Sequence, residues 1–335
     1  MSSSMTKFFL SRIAGLLIVL LAMTAVVFAL RQVIPSDPAR AAVGVNAPAE
    51  VVEAKRQELG LNDPVISQYG RYLRQLAQGD LGESTRTLRP VRSDIGDRLP
   101  ASLELVAMAV LLAALLGPGL ALLEALVPRP GPLRYLLAGG ASAPIFLTGL
   151  LLLYVFWFKL KLAPGGGRTL YADAPTGPTG LVTVDALLDG RWLVAWDSIQ
   201  HLFLPGLTLA LPMSVAVGRS LRSSLQSVMS QDYVRTARSK GLPERDVLRR
   251  HALRNASTGP LAMAGLQVGL LFANLLIVER IFSWPGLGAY TVQALGGDDL
   301  TAVLGVALVF GAAYIVVNTL VDLAQAWADP RVALE

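Results

Sequence analysis

The segment DYVRTARSKGLPERDVLRRHALRN, residues 232–255, is the most informative stretch of this 335-residue chain. It reads as two short helices. Asp232 is placed to cap the first, and Tyr233, Val234 and Ala237 fall on one of its faces. Gly241 stands where a helix-ending glycine is wanted, because positive φ costs glycine little. Pro243 then opens the second helix, at a position where its missing N–H is harmless. Val247, Leu248, His251 and Ala252 form an apolar stripe opposite Arg245 and Arg249. Two short helices with apolar faces and no core of their own imply that the segment docks against something. Anionic lipid headgroups suit the Lys/Arg face. The small residues Thr236, Ala237, Ser239 and Gly241 favour instead the close approach of a protein backbone.

What flanks this segment is apolar, and that sets the fold class. The chain is 53% hydrophobic and 16% charged, with a mean hydropathy of +0.52. Ordinary soluble domains carry roughly 25% charged residues. The apolar residues come in blocks, and a helix crossing a bilayer needs ~20 of them. Six blocks qualify: 8–34, 101–127, 133–158, 201–220, 257–278 and 300–327. The first exceeds the ~7–15 residues of a signal-peptide core and lacks a small-x-small cleavage pattern, so it reads as an uncleaved span. Residues 35–100 form a polar segment with nine Lys/Arg and nine Asp/Glu, in which 48–59 and 64–76 have helical spacing. Residues 328–335 form a short tail. The fold class is an all-α polytopic membrane protein whose core, 101–327, encloses a polar loop at 221–256.

Orientation follows from the short loops. Residues 219–254 hold nine Lys/Arg against three Asp/Glu, an excess of six, so the rest of the chain carries −1 of the net +5. In a soluble protein such a patch would suggest nucleic acid; between two spans it marks a cytoplasmic loop. With the amino terminus inside, the basic 128–134 link and the 221–256 loop both fall inside. The segments 35–100, 159–200 and 281–299 fall outside, and six spans return the carboxyl terminus to the cytoplasm. Pro144, Pro205 and Pro212 lie in the third and fourth spans. They suit either kinked helices beside an aqueous path or ordinary packing, since proline frees backbone carbonyls that protein or water must satisfy.

Several chemistries are excluded. There is no cysteine, and the two histidines, His201 and His251, are fifty residues apart. No metal site, catalytic residue or bound cofactor is expected. No phosphate-binding loop occurs; Pro164-Gly165-Gly166-Gly167-Arg168-Thr169 lacks the spaced first glycine and the lysine. The acids inside the expected spans, Glu104, Glu124 and Asp322, each sit near an end. Proton-driven carriers place such groups deep in the bilayer. A transporter built this way draws its energy from another subunit. A stand-alone carrier or channel, or a membrane scaffold that binds ligand through 35–100, are the competing classes.

The 232–255 segment resembles the EAA loop of the permeases of ABC importers. Arg235-Thr236-Ala237 stands at the E-A-A triplet, Gly241 follows after three residues, and Leu253 matches the later leucine. His251 replaces that pattern's apolar residue and Arg254 its proline. These departures are similar to those of the dipeptide and oligopeptide subfamily. Further resemblance to that subfamily comes from FALRQVIPSDPA (28–39), GDLGES (79–84), RPV (89–91), RLPASLEL (98–105), VERIFSWPGLG (278–288) and DPR (329–331).

The resemblance implies a multi-pass protein of the bacterial cytoplasmic membrane, embedded in the lipid bilayer. A second homologous permease would complete the pathway, and an extracytoplasmic substrate-binding protein would deliver peptides. Two ATPase subunits would bind ATP and Mg. It also implies that the loop is a coupling helix docking into an ATPase groove through Tyr233, Val234, Arg235, Thr236, Ala237, Gly241, Leu242, Val247 and His251. Nickel, glutathione and haem cargoes remain open within this family.

Overall fold

A computed structural model describes residues 3–33, 38–44, 47–126, 143–175 and 177–328. Among these residues the chain is helical, with one isolated bridge pairing Glu83 and Pro90. The elements are α1 (Ser3–Val33), α2 (Pro38–Val43), α3 (Ala49–Glu58), α4 (Val65–Ala77), α5 (Val91–Leu126) and α6 (Ile145–Leu152). A π-helical turn, Leu153–Lys159, extends α6, and α7 (Val182–Leu188) and α8 (Trp192–Met229) follow. Then come α9 (Asp232–Ser239) and α10, which is α-helical over Glu244–Asp246, π-helical over Val247–Ala252 and α-helical again over Leu253–Ala256. The last three are α11 (Thr258–Ile281), α12 (Leu287–Leu295) and α13 (Leu300–Ala328).

Among the described residues, five stretches are long and apolar enough to cross a membrane: within α1, α5, α8 and α13, and over Leu253–Ile281. Their exposed leucines and isoleucines, such as Ile18, Leu115, Leu266 and Leu270, suit a hydrocarbon surround, where a helix satisfies all its own backbone groups. Of the expected third span, residues 133–142 lie outside the described residues, and α6 with its π-helical turn is the described part. Pro144 directly precedes α6, at its N-cap. Proline is tolerated at a helix start because no intrahelical N–H is lost there.

Two boundaries differ from the sequence reading. The second spanning helix begins at Val91, ten residues early, and carries Pro100 as well as Pro118 in its interior. α5 thus begins within the polar segment expected over 35–100. The fourth begins at Trp192 and ends at Met229, nine residues beyond the apolar block at each end, with Pro205 and Pro212 inside it. Hydropathy marks where a helix is apolar, and a helix goes on through polar residues that tertiary contacts bury. Asp197 and Ser198 are of that kind, buried beside His201 near the start of α8. The tail after Ala328 lies outside the described residues.

Residues Arg98–Tyr290 and Ala313–Glu335 belong to one compact unit. Its centre is α8, buried along most of its length. Small residues bring α5 and α8 together: a Cβ on Gly218 would lie 2.8 Å from the Gly117 carbonyl oxygen, and one on Gly206 2.7 Å from Met108 Cγ. Close backbone approach of this kind is how helices associate in lipid, where burial of apolar surface supplies little.

Leu10–Asp97 and Thr291–Ala312 form the other unit. Here the polar segment is not a free-standing domain. Tyr69 and Tyr72 of α4 rest on Phe28 of α1, ring centroids 5.2 and 6.1 Å away. The Tyr69 hydroxyl lies 3.0 Å from Thr24 Oγ1. The GDLGES segment is seated by Ser84, which donates to Asp299 Oδ2 at 2.5 Å, while Asp299 Oδ1 accepts from the Ala302 N–H. That second bond satisfies a free N–H in the first turn of α13.

Candidate functional site: the basic loop between α8 and α11

The loop is built by its glycine and its prolines. Gln231, not Asp232, occupies the N-cap of α9, and it makes no side-chain cap. Asp232 sits in the first turn, where its charge favours the helix dipole, and it pairs with Arg235 at 3.3 Å. At the other end Gly241 has φ +79°. Its N–H donates to the Arg238 carbonyl (2.9 Å) and the Leu242 N–H to that of Ala237 (3.4 Å). This is the Schellman arrangement, with Leu242 closing its hydrophobic contact on Ala237. Pro243 caps α10 in an extended conformation. Across the turn Arg238 grips Glu244 with two nitrogens, at 2.6 and 3.3 Å.

The loop has a small core after all. Val234, Ala237 and Val247 are buried against one another, with Val228, Met229 and Leu242 around them. A second cluster, Ala252 and Ala256 with Leu221, Leu225 and Ala121, fixes α10 to the ends of α8 and α5. The apolar faces that the sequence offered for docking are thus largely consumed in holding α9 and α10 together. Three of the nine expected docking residues, Val234, Ala237 and Val247, face this interior, and Leu242 packs against it. The side chain of His251, on the π-helical stretch, lies outside the described residues.

What α9 and the turn after it leave exposed includes four of the nine, Tyr233, Arg235, Thr236 and Gly241, together with Asp232, Arg238, Ser239 and Lys240. The Thr236 and Ser239 hydroxyls donate back to the Asp232 and Arg235 carbonyls, at 2.9 and 3.0 Å. With their polar atoms already engaged, they present a smooth, small surface. The Tyr233 hydroxyl accepts from Asn255 Nδ2 at 3.0 Å, holding the ring between α9 and α10. The surface on offer is a short rigid helix with small residues, a tethered aromatic ring and a basic rim.

Two polar arrangements in the same unit escaped the sequence reading. Glu279, placed beyond the fifth apolar block, is fully buried near the end of α11. It accepts from Ser102 Oγ at 2.6 Å and from the Ala289 N–H at 3.0 Å. Ser102 in turn accepts from the Leu287 N–H at 2.8 Å, and Trp284 Nε1 donates to the Ala101 carbonyl at 2.9 Å. Any Cβ on Gly286 would strike the Glu279 carboxylate, and one on Gly288 would lie 2.7 Å from Leu276 Cα. The RLPASLEL and WPGLG motifs are therefore two halves of one buried knot joining α5, α11 and α12. The second arrangement pairs Glu104 with Arg168 at 2.7 Å, with Glu104 Oε1 accepting from the Thr183 N–H. Both acids are satisfied by protein donors, as buried polar groups must be.

A helical membrane chain with a rigid basic loop between two of its spans has the form of a transporter subunit that works with others. Residues 131–334 match the family model described as binding-protein-dependent transport system inner membrane component, and residues 5–106 match its N-terminal companion. The chain belongs to this family of inner-membrane transport permeases. It is 40% identical to the probable D,D-dipeptide transport system permease protein of Escherichia coli (strain K12), over 95% of each chain. To the dipeptide transport system permease protein of Alkalihalophilus pseudofirmus it is 34% identical, over 98% of this chain and 99% of the relative. The glutathione transport system permease protein of Salmonella paratyphi A is also 34% identical, over 98% and 99%. All three relatives are named as transport system permease proteins.

Proposed function

We propose that this chain is one permease of an ATP-driven importer of short peptides, and that α9 is its coupling helix. The observation that carries the reading is the construction of the 230–256 loop. Its own core and its attachment to the ends of α8 and α5 make α9 a rigid body fixed to the spanning helices. A lipid-surface helix needs apolar side chains to sink into the headgroups. Here Val234 and Ala237 are turned inward, and the free face is small and polar. Such a face fits a protein groove.

In this reading α9 docks into an ATPase subunit through Tyr233, Arg235, Thr236 and Gly241, with Val234, Ala237, Leu242 and Val247 setting its shape. Two such ATPases bind ATP and Mg, and this chain binds neither. A second homologous permease completes the pathway, and an extracytoplasmic binding protein supplies the cargo. The loop and both termini are cytoplasmic in a bacterial cell membrane, and Pro205 and Pro212 are hinge candidates within α8. Changing which side is open requires a ligand with different affinity for the two states. ATP supplies that difference, and α9 relays it. The relatives' names favour dipeptides. Glutathione is the second reading, favoured by a relative of equal coverage whose name carries that cargo.

The test is reconstitution. Proteoliposomes holding this permease, its partner permease and the ATPases should take up dipeptide only with binding protein, and with ATP on the α9 side. Uptake by this chain alone, without ATPases, would mean a stand-alone carrier.

A further inference from the structure

At the end of α8 remote from the loop, the chain holds a cavity of about 600 Å³, within the range of roughly 300–1,000 Å³ typical of small-molecule sites. Trp157, Phe158 and Leu162 line it from the end of α6 and the segment after it. Asp197, Gln200 and His201 line it from α8. Asp197 Oδ2 accepts from Thr169 Oγ1 at 2.6 Å and from the Leu170 N–H at 2.8 Å. These bonds fix the carboxylate and, among the described residues, leave Oδ1 without a hydrogen-bond partner. His201 is buried, and its Nδ1 donates to the Asp197 carbonyl at 2.8 Å. In the neutral ring that bond assigns the proton to Nδ1 and leaves Nε2 as an acceptor. Lys161 stands at the rim with φ +53°, a conformation rare for a residue other than glycine, and such strain tends to gather at ligand sites.

The chemistry of this set is directional. Asp197 Oδ1 and His201 Nε2 both accept, so the ligand must donate. A carboxylate beside two aromatic rings suits a primary ammonium, drawn to the charge and to the ring faces. The cation on Lys161 suits a carboxylate at the ligand's other end. We propose that this cavity is a cargo subsite for a short zwitterionic peptide, with Asp197 receiving its amino terminus and Lys161 its carboxylate. The inference rests on the peptide reading given above and adds where, and by which end, this chain holds the peptide.

The chain has no native cysteine, so Leu162→Cys gives it a single thiol on the cavity wall. In the complete permease–ATPase complex in nanodiscs, maleimide labelling of this chain is followed with dialanine or with N-acetyl-dialanine. Dialanine should slow labelling at least threefold, and the acetylated peptide should not. Adding Asp197→Asn, which keeps an acceptor for Thr169 and Leu170, should abolish the protection while labelling without peptide stays unchanged. Lys161→Gln should weaken protection by dialanine while leaving intact any protection by dialanine amide. Equal protection by both peptides, or protection that survives Asp197→Asn, would overturn the proposal. So would labelling that is slow in nanodiscs, fast in detergent and indifferent to peptide, the result if lipid fills the cavity. No protection in a complex that still imports dialanine would sink this subsite alone. A complete system that imports no peptide would sink instead the cargo reading beneath it.

Discussion

Replacing Gly241 separates backbone geometry from contact. Its φ of +79° is one that L-residues avoid, and a Cβ built there meets, among the described residues beyond its chain neighbours, no atom within 4 Å. The chain itself therefore adds no steric term, and the cost is confined to the backbone. For an ordinary residue this left-handed conformation costs about 1–2 kcal/mol. That corresponds to a factor of roughly 5–30 in the population of the capped loop. What is lost with the cap is the pair of bonds from Gly241 and Leu242 to Arg238 and Ala237. Gly241→Ala should lower cargo-stimulated ATP hydrolysis and peptide uptake together, within that range. Gly241→Val should lower them further. Gly241→Asn should come close to the parent, because asparagine visits this conformation readily. Membrane insertion and pairing with the second permease should be unchanged for all three. The assay is uptake and hydrolysis by one proteoliposome preparation, with co-purification of the ATPase as the docking readout. If Asn were as damaging as Val, the cap argument would be refuted, and direct crowding of the ATPase at the bare Cα would replace it. If Val kept full coupling, α9 would not be the coupling helix.

Ala237→Asp should act differently from a surface change, since it buries a carboxylate with no partner, at a cost of several kcal/mol. Limited proteolysis should then cut between residues 230 and 256 faster than in the parent, with the spans intact. Arg245→Ala, at an exposed position, should leave that cleavage rate unchanged. Glu279→Ala should destabilise the chain by about 1–3 kcal/mol for each donor it strands; loss of helical signal on heating in detergent reads it, and Glu279→Gln should fall between parent and Ala. A lone thiol at Ser239→Cys should react with impermeant reagent only from the cytoplasmic face, and one at Leu170→Cys only from the other; the reverse would invert the proposed orientation.

How much of this was legible in the sequence depended on whether a signal was local. Helix ends set by backbone chemistry were readable, as Gly241 and Pro243 show. The apolar runs of α1, α11 and α13 gave those helices within a few residues. Burial was not readable where it depends on a remote partner. Val234 and Ala237 look alike whether they face an ATPase or Val247, because the period of a helix says which residues share a face and not what covers it. Glu279 lay one residue past an apolar block and looked like loop; its partners, Ser102 and the Ala289 N–H, are far away in sequence or belong to the backbone. Asp197 broke the apolar run that a hydropathy reading follows, so the expected span opened only at His201 and the first nine residues of α8 went unseen.

The Gly117–Gly218 contact divides α8 unevenly. At 1.5 Å per residue, about 17 Å of helix lies between Gly218 and Met229, and about 39 Å between Gly218 and Trp192. A helix turning as one piece about that point is a lever with a short arm at the loop and a long arm at the cavity. Displacement at α9 would arrive at Trp192 magnified a little over twofold, by that ratio of about 2.3, and at Asp197 by about 1.9. Pro205 and Pro212 both lie on the long arm. They determine whether the far end swings rigidly or lags behind. Spin-label distances measured from each arm to α5, with and without ATP, would give the gearing directly, and equal displacements at both ends would show that the fulcrum is not there.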